Sequence, residues 1–243
     1  MALDITFFTD GAKPMPVILL LDTSNSMGGE KISTLNRAVE TMINSFKEVA
    51  AEQVVIHLAV ITFSSDASLY IPLQPVEKVS WRELSAGGGT NLAEALIMAK
   101  KMIEDRNVIP SRAYRPVVIL VSDGYPFPGW EQPMADFVGS GRSQKCDRMA
   151  MLTGDNSAAP VMEQFLKGSD NRLFFANDAN DISDSFRAAT EYVMYARLGI
   201  RKTIFPGMSD EHDASANVFM PHYPSMPDMQ TTITDEDSDL EDE

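Results

Sequence analysis

The sequence predicts an α/β fold: a doubly wound, mostly parallel central sheet with helices on both faces and one antiparallel edge strand. Three observations carry that expectation. Two apolar runs, Pro16 to Leu21 and Pro116 to Val121, lead into Asp22 and Ser122-Asp123, the pattern of central parallel strands buried on both faces. Segments of helical and strand periodicity alternate along most of the chain. With 243 residues, 44% of them hydrophobic and 23% charged, the chain is long enough to bury one substantial core.

Taken in order, the first strand, ending at Asp22, leaves into a Gly28-Gly29 turn. Beyond it Ile32, Leu35, Val39, Met42, Ile43, Phe46 and Val49 recur at steps of three and four, which predicts an amphipathic helix over Lys31–Ala50. Val54–Phe63 reads as a second buried strand. Ser68–Leu73 reads as a third, and the short Ser64-Ser65-Asp66 link predicts that it pairs antiparallel. Gly87-Gly88-Gly89 then leads to Thr90 and Asn91, either of which would cap a helix carrying Leu92, Ala95, Leu96, Ala99 and Ile103 on one face. After the strand ending at Asp123, Gly124–Gly129 reads as a turn, and Trp130–Lys145 has too few apolar residues to predict a helix. A strand over Arg148–Thr153, a helix around Val161–Leu166, a strand at Arg172–Ala176 and a helix over Ile182–Tyr195 complete the alternation.

The expected organisation is an extension over 1–13, the α/β domain over 14–198, a segment rich in Pro and Met over 199–227, and an acidic tail over 228–243. The formal charge is −15, and the tail holds eight acidic residues and no basic one, so about half of the net charge lies there. A chain this acidic repels a phosphate backbone, and neither nucleic acid nor an anionic membrane is an expected partner. The amino terminus lacks the basic and apolar regions of a secretory signal, and no apolar run approaches the roughly 20 residues of a membrane helix. The single cysteine, Cys146, excludes an internal disulfide and a thiolate zinc cluster, and suits a reducing compartment; a cytoplasmic location is expected. Thr231, Thr232 and Thr234 precede acidic residues, a context for phosphorylation by acidophilic kinases.

The chemistry-bearing residues cluster where strands end. Asp22, Ser24 and Ser26 follow the first strand, Thr90 follows the triple glycine, and Asp123 follows the long strand beginning near Arg115. In a doubly wound sheet these carboxyl ends lie together, and ligands bind there. Two carboxylates and three hydroxyls, without histidine or thiolate, form a hard all-oxygen set that suits Mg²⁺, Mn²⁺ or Ca²⁺ rather than zinc or copper.

Asp22-Thr23-Ser24-Asn25-Ser26-Met27, Gly88-Gly89-Thr90-Asn91-Leu92 and Ser122-Asp123-Gly124 resemble the three parts of the metal-ion-dependent adhesion site (MIDAS) of von Willebrand factor A domains, and all five ligand positions match. The resemblance, running from about Lys13 to Arg197, implies a Rossmann-like α/β fold. It also implies that Ser24, Ser26 and Thr90 offer hydroxyl ligands while Asp22 and Asp123 hold a divalent cation, Mg²⁺ above Mn²⁺ or Ca²⁺, mostly through waters. The position left open on the ion would accept an Asp or Glu of a partner protein, with Asn25, Met27, Asn91 and Tyr125 shaping the contact surface. The absence of disulfides, together with the segments at Pro14–Asp22 and Asn177–Phe186, is most similar to the bacterial TerY type, associated with tellurite and stress resistance and with a Ser/Thr kinase and a PP2C-type phosphatase as partners.

The resulting expectation is a non-enzymatic, metal-dependent interaction module. Two rivals stand beside it. A metal-dependent phosphoester hydrolase would need a general base or a leaving-group acid, and no His or Lys is expected near these loops. An accessory subunit of an ATPase or chelatase would need its nucleotide site on another chain, since no G-x-x-x-x-G-K-[ST] run occurs.

Overall fold

A computed structural model of the chain describes residues 13–194, apart from 51–54, 155 and 172. Residues 1–12 of the predicted extension over 1–13, the segment 199–227 and the acidic tail with Thr231, Thr232 and Thr234 lie outside the described residues.

Strands that are apolar on both sides need cover on both faces, and the chain supplies it by alternating strand with helix. In order, the elements are β1 (Met15–Asp22), α1 (Glu30–Ala50), β2 (Ile56–Phe63), β3 (Ala67–Pro75), α2 (Leu92–Glu104), β4 (Val117–Ser122), α3 (Glu131–Gly139), β5 (Asp147–Thr153), α4 (Ala159–Leu166), β6 (Leu173–Ala176) and α5 (Ala179–Tyr192). The sheet order is β3-β2-β1-β4-β5-β6. All neighbours are parallel except β2 and β3, so the predicted antiparallel strand does sit at an edge.

Period-two alternation in β1 divides its side chains between two cores. Met15, Val17, Leu19 and Leu21 join the apolar stripe of α1 and residues of α5, whereas Ile18 and Leu20 join α2, α3 and α4 on the opposite face. Register places Asp22 level with Phe63 and aligns Leu21 with Val121, so the loops after β1, β2 and β4 emerge side by side. Among the described residues, no helix is long and apolar enough to cross a membrane.

One region differs from the sequence expectation. Residues 131–139 form a helix although their pattern is weak and no side chain caps its start. Met134 and Phe137 are its two fully buried anchors, and Phe137 stacks on Phe165 of α4 with ring centroids 5.8 Å apart. Short helices draw most of their stability from such packing rather than from local propensity, which is why the local pattern did not reveal it.

Candidate functional site

The site is assembled by main-chain hydrogen bonds between loops distant in sequence. Thr23 N–H donates to Phe63 O, tying the loop after β1 to the end of β2. Gly87 N–H donates to Thr23 O at 2.7 Å and Asn25 N–H to Gly88 O at 3.1 Å, which binds the glycine loop to the same segment. Phe127 N–H donates to Thr90 O at 2.9 Å and brings in the loop after β4. From below, Asn36 of α1 holds Leu84 by a reciprocal pair, Nδ2 to Leu84 O and Leu84 N–H to Oδ1. Gly88 is required here: its φ is 82°, and a Cβ would lie 2.6 Å from Ser65 Oγ and 3.1 Å from Ser65 N. Gly89 lies under the Phe127 ring, which occupies the space of any side chain. The triple glycine is thus a tight passage of backbone that leads into Thr90.

The five sequence-selected oxygen donors converge. Asp22 is fully buried; its Oδ1 accepts Ser24 N–H at 2.7 Å and its Oδ2 accepts the Ser122 hydroxyl. Ser24 Oγ and Ser26 Oγ are 2.9 Å apart, and Ser26 Oγ donates to Asp123 Oδ1 at 2.7 Å. A Cβ on Gly124 would stand 3.9 Å from Ser26 Oγ and 4.0 Å from Thr90 Oγ1, so the glycine leaves open the space onto which the hydroxyls face. Burial pushes the Asp22 carboxyl above its ordinary value and the charge of Asp123 adds to that, while hydrogen bonds from Ser122 and Ser24 pull it back.

Lys31 is the residue the sequence reading missed, and it overturns the expectation that no lysine stands near these loops. Its Nζ lies 2.5 Å from Asp123 Oδ2, with the lysine side chain 35% exposed and the aspartate side chain fully buried. Helical periodicity marked the stripe of α1 that faces the core but said nothing of where a polar residue in its first turn would reach. Ser122 was read within the Ser122-Asp123-Gly124 motif but given no role, although it holds Asp22 in place.

The predicted contact residues divide. Asn25 and Tyr125 are exposed, the latter at 57%. Met27 corrects the expectation: it is fully buried in the core, with Thr153 Oγ1 at 3.4 Å from its sulfur, and it offers no contact surface. The 3₁₀ turn at Asn25–Met27 rotates the apolar side chain inward as the hydroxyls turn out. Asn91 is the cap of α2; its Oδ1 accepts Glu94 N–H and its Nδ2 donates to Ser65 O and Glu94 Oε2, which commits its amide to structure. Phe127, 48% exposed beside Tyr125, is an addition to the predicted surface.

The donor set fits a hard divalent cation. Among the described residues there is no group of three or more His, Cys, Asp or Glu, so a cation here would be held by hydroxyls together with two carboxylates.

Residues 17–126 match the family model of the von Willebrand factor type A domain, a span that includes all five candidate ligands. Inter-alpha-trypsin inhibitor heavy chain H4 of Bos taurus is 30% identical over 132 residues, 50% of this chain and 14% of that protein. The chain thus matches only a small part of this curated relative. Among solved structures, a von Willebrand factor type A protein from Catenulispora acidiphila aligns with a TM-score of 0.57 at 18% identity, covering 75% of this chain and 43% of that one. Proximal thread matrix protein 1 from the mussel byssus, in a structure whose MIDAS motif is occupied by zinc, aligns with a TM-score of 0.56 at 16% identity, covering 75% of this chain and 46% of the other. The family match runs from β1 through the loop after β4, and the solved structures share the architecture of the sheet: the fold is the α/β fold of von Willebrand factor type A domains.

Proposed function

We propose that this domain captures an acidic side chain of a partner protein through a divalent cation held by Asp22, Ser24, Ser26, Thr90 and Asp123, and that it scaffolds rather than catalyses. The observation that supports this reading is the convergence of buried Asp22 and Asp123 with the Ser24 and Ser26 hydroxyls in one hydrogen-bonded group, beside the Thr90 hydroxyl. When bound, the cation supplies an electrophilic position that accepts a carboxylate oxygen. The chain's residues do the rest. Backbone hydrogen bonds among three loops hold the donors, Ser122 orients Asp22, and exposed Asn25, Tyr125 and Phe127 line the approach. Mg²⁺ is the expected ion, with Mn²⁺ and Ca²⁺ as alternatives. A reducing, cytoplasmic setting suits the single buried Cys146. The TerY-type resemblance makes a Ser/Thr kinase and a PP2C-type phosphatase the first partners to test.

The test is capture of partners from a host lysate in Mg²⁺ and in EDTA. Capture should require metal and be lost in Asp22→Ala and Thr90→Ala with the fold kept; full capture by both variants overturns the mechanism. Lys31 gives the hydrolase reading a specific foothold, because an ammonium at the site could neutralise a leaving group. Its engagement with Asp123 favours the scaffold, and turnover of p-nitrophenyl phosphate lost in Lys31→Met would reverse that preference.

A further inference from the structure

We propose that Lys31 is a built-in counter-cation, which a divalent ion must displace from Asp123, so that this lysine sets the ion concentration at which the domain becomes competent to bind. The inference rests on the reading that the site takes a divalent cation.

The Asp123 side chain is fully buried, and each of its oxygens already has a donor: Oδ1 the Ser26 hydroxyl at 2.7 Å, Oδ2 the Lys31 ammonium at 2.5 Å. Ser26 is in turn paired with Ser24 at 2.9 Å. These donor groups are therefore satisfied by one another and by Lys31, in an arrangement that needs no ion. Room for the ammonium is provided at the end of β5, where Gly154 has a φ of 97° and a Cβ would stand 3.1 Å from Lys31 Nζ. The lysine can also leave. It stands in the first turn of α1, it is 35% exposed, and its flexible four-carbon stem lets the ammonium withdraw into water without moving backbone.

Two cations cannot share a buried carboxylate without repulsion, and inside a partly buried site that repulsion is weakly screened. An ion entering beside Asp123 must work against the ammonium or expel it. In either case the charge on Lys31 weakens ion binding, and its removal should strengthen it.

The experiment is titration of the full chain, stripped with EDTA and dialysed, with Mn²⁺, reading bound and free ion by electron paramagnetic resonance and the fold by circular dichroism. Lys31→Met and Lys31→Gln should each bind Mn²⁺ about tenfold more tightly than wild type. Lys31→Arg, which keeps the charge, should stay within about twofold. Without ion both neutral variants should melt below wild type, and saturating Mn²⁺ should close the gap. Equal or weaker binding by both folded neutral variants, while Asp22→Ala binds none, overturns the role of Lys31 and leaves the ion site standing. Absence of binding in wild type and all variants overturns the ion site and the lysine's role together.

Discussion

Arg148 at the amino ends of the strands and Asp123 at their carboxyl ends are both charged groups buried by the fold, but the means of neutralising them differ. Arg148 donates through Nε to Phe165 O at 2.8 Å, through Nη2 to Lys167 O at 2.7 Å, and through Nη1 to the carbonyls of Ser143, Gln144 and Cys146. Phe165 and Lys167 lie at the carboxyl end of α4, where unpaired carbonyls carry partial negative charge. The guanidinium thus closes the helix end with a fork whose every acceptor is backbone. Asp123, by contrast, is neutralised by the side chains of Ser26 and Lys31, from two other segments. A charge caged by backbone cannot change partners without unfolding. One met by side chains can exchange them, and that is the property a binding site needs.

The largest effect that would break or sharpen this contrast is expected at Arg148. Arg148→Met removes the donors to five carbonyls, of which those of Ser143, Cys146 and Phe165 are buried, and we expect a loss of about 3–5 kcal/mol in urea unfolding, the same with and without divalent ions. A loss below about 1 kcal/mol would mean that water replaces the guanidinium freely and that the two ends are alike.

A smaller effect is expected at Asp22, and it depends on pH. Folding raises this carboxyl above its ordinary value, chiefly by burial, so the native state holds the proton more tightly than the unfolded chain. Its contribution to stability is complete below the ordinary carboxylate value, declines as pH rises through the raised native value, and stays lost above it. Asp22→Asn keeps the acceptor for Ser24 N–H and has no proton to lose. Without metal it should therefore be at least as stable as wild type near neutral pH and lack this decline, as thermal melts across about pH 4 to 7 would show. Saturating Mg²⁺ should reverse the ranking by stabilising only the wild type.

At the amino end again, Cys146 should be nearly silent. Burial pushes its thiol up to about 12, leaving about a thousandfold less thiolate than an ordinary cysteine. Labelling by a disulfide reagent at about pH 8 should follow unfolding rather than direct attack, and Arg148→Met should accelerate it. Prompt labelling of the native wild type would show this end of the sheet to be open.

The particular residues explain how much could be read without coordinates. Buried parallel strands announce themselves as continuous apolar runs, and a chain that leaves such a strand through Asp22-x-Ser24-x-Ser26 can only do so at the strand's carboxyl end. The edge position of β3 was equally legible, because a link as short as Ser64–Asp66 cannot support a parallel crossover. Helix α3 was not legible, since its two anchors are useful only against α4. Nor was the inward turn of Met27, for an apolar residue inside a polar loop reads equally well as exposed contact surface until a core is present to receive it.

The sequence by itself determined which oxygens gather at the carboxyl edge, because strand direction and order bring the ends of β1 and β4 together whatever the packing details. Only the tertiary structure decided what neutralises them. Lys31 and Asp123 are 92 positions apart, and their contact depends on how α1 lies across the sheet and on the space left by Gly154. The reach of a long, flexible side chain across such a gap is set by packing in three dimensions, on which local periodicity carries no information.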